Sequence, residues 1–223
     1  MDLITTFFNA DVMRRAWPFL VEGAWLTLQL GILSILLSLL GGLLLVLLRL
    51  YSPRPLRFVA KLYIVLFRAV PVLVLLVIIY YALPFVGLRL SSFGSATLAL
   101  SLVASAYVSE ILRSGIAALP KGQFEASDAL GLSFWHQMAD VVLPQAFRIV
   151  VPSLTNNCIN VIKDTALASV VTLPDLLKQA TEAQAVFASP TPLIGAAAIY
   201  LVILIPMVAL VGTFEGKSNH GRA

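Results

Sequence analysis

The sequence predicts an all-α integral membrane protein of about five transmembrane helices, on three observations: its composition, its long apolar runs and the placement of its basic residues. Of 223 residues, 60% are hydrophobic and 12% charged, where soluble globular domains carry about a quarter charged. A span needs roughly 20 apolar residues to cross about 30 Å of hydrocarbon. The stretches that qualify are roughly 25–48, 64–86, 95–118, 147–171 and 193–213. Lys and Arg then set the orientation, because cytoplasmic loops hold them in excess.

Ahead of the first span, residues 7–19 with the Trp17-Pro18 step predict an interfacial helix and turn. Residues 1–20 carry Asp2, Asp11, Arg14 and Arg15 and lack the basic-then-apolar order of a cleaved signal, so the first apolar run is expected to span. Arg49, Arg54, Arg57 and Lys61 fill the first loop, with Arg68 at the mouth of the second span. Arg89 stands alone in the next loop. Arg113, Lys121 and Arg148 mark the third loop, Lys178 the fourth, and Lys217 and Arg222 the tail. The expected topology is a periplasmic N-terminus, a cytoplasmic C-terminus and a cytoplasmic stretch 121–144. No internal repeat or linker divides the chain, so residues 1–223 are expected to form one membrane domain. The net charge of +4 fits this loop bias and gives no reason to expect nucleic acid. Cys158, the lone cysteine, is expected to be a packing residue.

The stretch 121–144, KGQFEASDALGLSFWHQMADVVLP, is the longest interval without a membrane-grade run. Gly122 to Leu130 reads as a short amphipathic helix, with Glu125 and Asp128 in or near its first turns, where the macrodipole favours acids. Gly131 can end it with positive φ. Ser133 suits an N-cap for a second helix, Phe134 to Val142, and Pro144 suits the restart of the fourth span. Two short helices meeting at a glycine elbow can transmit a rigid push.

Within the fourth span, Ser153, Asn156, Asn157, Asn160, Lys163 and Asp164 fall in a sector of roughly 120° at about 100° per residue. A charged side chain at mid-membrane costs on the order of 2.5–3.5 kcal/mol on insertion scales. This face is therefore expected to line a pathway, with asparagine amides, Lys163 and Asp164 suited to a zwitterionic amino acid. Glu110 and Arg113, spaced i, i+3, form a helix pair, and Ser101, Ser105 and Ser109 form a stripe for close helix packing. Gly212 to Ser218 (GTFEGKS) misses phosphate-loop spacing by one position and follows a span where a strand is required. His136 and His220 are too far apart in sequence to suggest a metal site, and no hydrolase triad is apparent. Enzyme chemistry and a resident cofactor are not expected.

Several segments carry a family resemblance. Lys121-Gly122-Gln123, Glu125-Ala126-Ser127, Gly131 and Leu143-Pro144 form the pattern of the EAA loop. Gly23-Ala24-Trp25-Leu26-Thr27-Leu28, Leu66-Phe67-Arg68-Ala69-Val70-Pro71, Tyr107 to Ile116 and Ile162-Lys163-Asp164-Thr165 extend it over nearly the whole chain. Together they resemble the permease subunits of bacterial ABC importers for polar amino acids, in the histidine/glutamine/arginine branch. Ser127 in place of the second alanine and Ala69-Val70 in place of the commoner Gly-Thr depart from the pattern, as does the tail without its arginines. The resemblance implies a type I importer permease fold in the bacterial inner membrane, translocating a polar amino acid. Gly122, Glu125, Ala126, Ser127, Asp128 and Gly131 are then expected to meet a cytoplasmic ABC ATPase dimer, which holds ATP and Mg. Asn156, Asn157, Asn160, Lys163, Asp164 and Thr165 are expected to line the substrate pathway. Arg68, Glu110 and Arg113 are candidates for a gate or subunit contact. A second permease subunit and a periplasmic solute-binding protein complete the expected partners. The competing expectation is an ion-coupled secondary amino acid transporter using Lys163 and Asp164 as a relay.

Overall fold

The computed structural model describes residues 6–219, with side chains as far as residue 209. The tail residues Lys217, His220 and Arg222 lie outside the described side chains, and Asp2 lies outside the described residues. The described chain is helical throughout, without a strand. Helix α1 (Ala10–Tyr51) has 42 residues, about 63 Å at 1.5 Å per residue, more than the hydrocarbon thickness. Asn9 caps it, its side chain accepting from the Val12 N–H at 3.1 Å. The helix passes through Trp17-Pro18 unbroken, so the expected interfacial turn does not exist. Pro18 removes one backbone donor near the helix start. Burial of Ala16, and of Leu20 against Leu176, Ala180 and Ala196, holds the helix across it.

The second predicted span is also corrected. Helix α2 (Arg54–Ala69) and helix α3 (Val72–Val77) are separate. Helix α3 continues through a π turn and a 3-10 turn to Val86, and the pair is bent by 102°. Pro71 cannot donate to the preceding turn and forces Val70 into an extended conformation, with ψ 128°. Helix α4 (Ser92–Ala117), capped by Ser91 on the Gly94 N–H, follows the predicted third span closely.

The α1–α4 contact is the most extensive in the fold. It rests on small residues, as the serine stripe suggested: Gly41 and Gly42 of α1 lie against Ser105 and Val108 of α4, and Ser34, Ser38, Ser101, Ala104 and Ser109 are buried along the two helices. A Cβ on Gly42 would lie 2.4 Å from Val108 Cγ1 and 2.9 Å from the Ser105 carbonyl oxygen, so the backbones approach as closely as glycine allows.

After helix α5 (Lys121–Ala129), helix α6 (Phe134–His136) runs through a π turn, Gln137–Val142, into helix α7 (Leu143–Asp164). A 3-10 segment, Thr165–Val171, ends α7 at Thr172. Helix α8 (Leu176–Phe187), in what read as a plain loop, packs Leu176, Ala180 and Ala183 inward. Helix α9 (Thr191–Asn219) contains the fifth predicted span and runs through Gly212–Ser218 as helix, not as a phosphate loop. Among the described residues, α1, α4 and the Thr191–Ala209 part of α9 are long and apolar enough to cross a membrane; the bent α2–α3 pair qualifies if taken as one. Helix α7 does not pass that test, because its polar face lowers its hydropathy.

Asp175 caps α8 and is fully buried; one carboxylate oxygen accepts from the Lys178 N–H at 3.0 Å and the other has no hydrogen-bond partner. Burial pushes its pKa up to about 6 from 3.8, against the pull of the Lys178 and Leu177 N–H groups. A folded-state pKa above the unfolded one favours folding fully below about pH 4, and this contribution disappears as pH rises through 6. Asp175→Asn keeps the cap and removes the charge. Thermal unfolding of the purified chain should lose its decline between pH 4 and 6 in that variant; an unchanged profile would place the titration elsewhere.

Candidate functional site

The polar face of α7 closes a cavity of about 300 Å³ between α7, α4 and the start of α3. Asn157, Asn160, Lys163 and Asp164 form one wall, and Val72, Leu100, Val103, Ala104 and Tyr107 form the other. Two features of local folding produce it. The break at Pro71 turns α3 away from α2 and brings Val72 to the cavity, while Ala104 of α4, between the larger Leu100, Val103 and Tyr107, leaves room opposite the side chains of α7. Asn157 and Asp164 are half-buried; Asn160 and Lys163 are exposed. Neither Lys163 nor Asp164 has an ion-pair partner among the described residues. Residues 23–109 contain no acid, so the opposite wall offers Lys163 no carboxylate.

Two members of the predicted pathway set stand apart. Asn156 is exposed and outside the cavity lining. Thr165 is fully buried and donates its hydroxyl proton to the Ile162 carbonyl at 2.6 Å. It lies a third of a turn beyond Asp164, which directs it into the core toward Gly31. Tyr107 lines the cavity without having been singled out. The Arg68 guanidinium lies 5.4 Å from its ring centroid, which links the predicted gate candidate to the cavity wall.

Glu110 and Arg113 pair as their spacing suggests, with Arg113 Nε donating to Glu110 Oε1 at 3.0 Å. Arg49, at the end of α1, completes a triad through the other oxygen of Glu110. Arg49 carried no local signal, since its partner is 61 residues away.

The stretch 121–144 folds as a clamp. Helix α5 ends in a Schellman turn: the Leu132 N–H reaches the Ser127 carbonyl at 3.1 Å, the Gly131 N–H reaches Asp128 at 2.9 Å, and Gly131 has φ +67°. Helix α5 starts at Lys121, so Glu125 and Asp128 lie beyond its first turn and gain little from the macrodipole. Gly122, Glu125, Ala126, Asp128 and Gly131 face outward. Ser127 does not: it is buried and donates to the Gln123 carbonyl at 2.6 Å, which explains a small hydroxyl there. Ser133 caps α6 as expected, but the helix it starts does not end at Val142. The wide π turn before Pro144 spares the clash of the proline ring with the preceding turn, and the helix continues into α7. Gln137 fastens the two arms, donating to the Phe124 carbonyl at 3.1 Å and to Asp128 Oδ1 at 2.9 Å. Leu119, Val142 and Ala146 pack beneath, with Phe124 and Met138 against them.

A family model described as "Binding-protein-dependent transport system inner membrane component" matches residues 34–219. The arginine transport system permease protein ArtQ of Bacillus subtilis (strain 168) is 38% identical over 203 residues, covering 90% of each chain. The L-cystine transport system permease protein TcyB of the same organism is 41% identical over 171 residues, 77% of this chain and 73% of its own. A crystal structure of an amino acid ABC transporter with histidines superimposes with a TM-score of 0.86 at 36% identity, over 92% of this chain and 96% of that one.

Removal of the Gln137 amide in Gln137→Leu should free α5 while α7 stays intact. Two lost bonds of about 1 kcal/mol each predict amide exchange in residues 121–131 faster by roughly thirtyfold. Unchanged protection would show that the clamp does not depend on Gln137.

Proposed function

The chain belongs to the binding-protein-dependent transport system inner membrane components, and from that premise we propose that it translocates a polar amino acid across the bacterial inner membrane, driven by ATP hydrolysed on a separate subunit. One observation carries the reading. The outward face of α5 is fastened by Gln137 to a helix that continues without interruption into α7, which presents the cavity wall. A displacement of α5 therefore moves Asn157, Asn160, Lys163 and Asp164 as one body.

In this reading a cytoplasmic ABC ATPase dimer, holding ATP and Mg, engages Gly122, Glu125, Ala126, Asp128 and Gly131. Ser127 supports the helix from within. A periplasmic solute-binding protein delivers the amino acid, and a second permease, identical or similar, completes the pathway. Helix α7 serves as the fourth of the five spans because partner subunits and water take up its polar face. In the cavity, Lys163 Nζ donates to the substrate carboxylate and Asp164 accepts from the ammonium group. Asn157 and Asn160 serve either end, and Leu100, Val103 and Tyr107 meet the aliphatic portion. The amino acids for which these relatives are named, arginine and L-cystine, are polar and support this class.

Reconstituted vesicles test both halves. Uptake should require ATP and the added ATPase; uptake driven by an ion gradient alone would favour the secondary transporter. Asp164→Asn should lower uptake roughly ten- to a hundredfold, the loss of one charge-assisted bond of roughly 1.5–3 kcal/mol, with assembly intact. Gly131→Ala, strained by about 1–2 kcal/mol at positive φ, should leave ATP hydrolysis running while uptake falls. Preserved coupling in that variant would rule out the elbow.

A further inference from the structure

A second, larger cavity lies away from the pathway. It is a groove of about 880 Å³ between the last third of α1, the end of α4 and the start of α7. Leu43, Val46, Leu112, Phe147 and Val150 are among its apolar walls, and Tyr51, Phe134 and Trp135 stand at one end. The three rings form an edge-to-face chain, with Tyr51 to Phe134 and Phe134 to Trp135 each at 5.6 Å, and Trp135 is 78% exposed. Along α1 the groove runs from Leu39 to Leu50, about 16 Å at 1.5 Å per residue. That matches one leaflet, half of about 30 Å of hydrocarbon. Aromatic side chains at such a mouth suit the membrane interface.

The mouth is basic. Arg57 reaches over it, its guanidinium 3.4 Å from the Leu50 carbonyl oxygen and 3.3 Å from that of Ser52, with other donors left over. Arg54 and Arg57 occupy the first turn of α2, which has no acidic residue and no side-chain cap. Cations at a helix N-terminus oppose the macrodipole, and an anion there would answer both.

We infer that this groove binds an anionic phospholipid, its acyl chain along α1 and its phosphate at Arg54 and Arg57. A helix from a second copy of the chain is the competing occupant, and it would shield Trp135 from lipid.

Contact quenching tests the inference on the full chain reconstituted with Trp17→Phe and Trp25→Phe, which leave Trp135 as the one tryptophan. Brominated phosphatidylglycerol should occupy the groove roughly five- to thirtyfold more readily than brominated phosphatidylcholine, the preference expected of one to two cations at about 1 kcal/mol each near an anionic headgroup. Arg54→Gln and Arg57→Gln should each reduce that preference, with quenching by the zwitterionic lipid retained. Equal quenching by both lipids, a preference unchanged in both variants, or Trp135 shielded from every lipid by a second protein copy would each overturn it.

Discussion

If α7 crosses the bilayer, as the proposed function requires, it carries three asparagines, a lysine and an aspartate on one face that cannot meet lipid. Each charge would cost on the order of 2.5–3.5 kcal/mol there, and neither Lys163 nor Asp164 is neutralised by an ion pair within the described chain. The surrounding fold answers this constraint. The break at Pro71 and the α4 wall around Ala104 place a cavity against that face where a plain bundle would place side chains. The opposite side of α7, with Val150, Ile159 and Ile162, is buried in ordinary packing.

For such a helix to act as a moving wall, its neighbours must hold shape. The α1–α4 pair does this by proximity, with backbone against backbone at Gly42. The Arg49–Glu110–Arg113 triad joins the same two helices near their ends. Against this frame, the proposed lever is α7 with its π-turn extension, and α5 is its handle. Motion applied at the handle meets little exposed loop in which to dissipate, because Gln137 and the Leu119–Val142–Ala146 cluster bridge the elbow.

Much of this was legible in the sequence because it depended on short-range chemistry. The Schellman glycine at 131, the Ser133 cap, the serine stripe of α4 and the Glu110–Arg113 pair are all set within one or two turns. The polar sector of α7 followed from helical periodicity, and four of its members line the cavity. Features that failed depended on distant partners. The helix survives Pro18 because Leu20 packs on residues more than a hundred positions away. Helix α8 is short, and its stability comes from α1 and α9. Arg49, Gln137 and Tyr107 acquire roles only when the chain is folded. Thr165 was placed with its charged neighbours by adjacency, although adjacent helical residues point about 100° apart.

Chemical accessibility of the α7 face, in the assembled transporter, tests the account most directly. In a Cys158→Ser background, Asn160→Cys should react with a small, membrane-impermeant thiol reagent, and the transported amino acid should slow that reaction. A thiol at Asn160 labelled only by lipid-soluble reagents, at a rate indifferent to substrate, would mean that this face does not border the path of the amino acid.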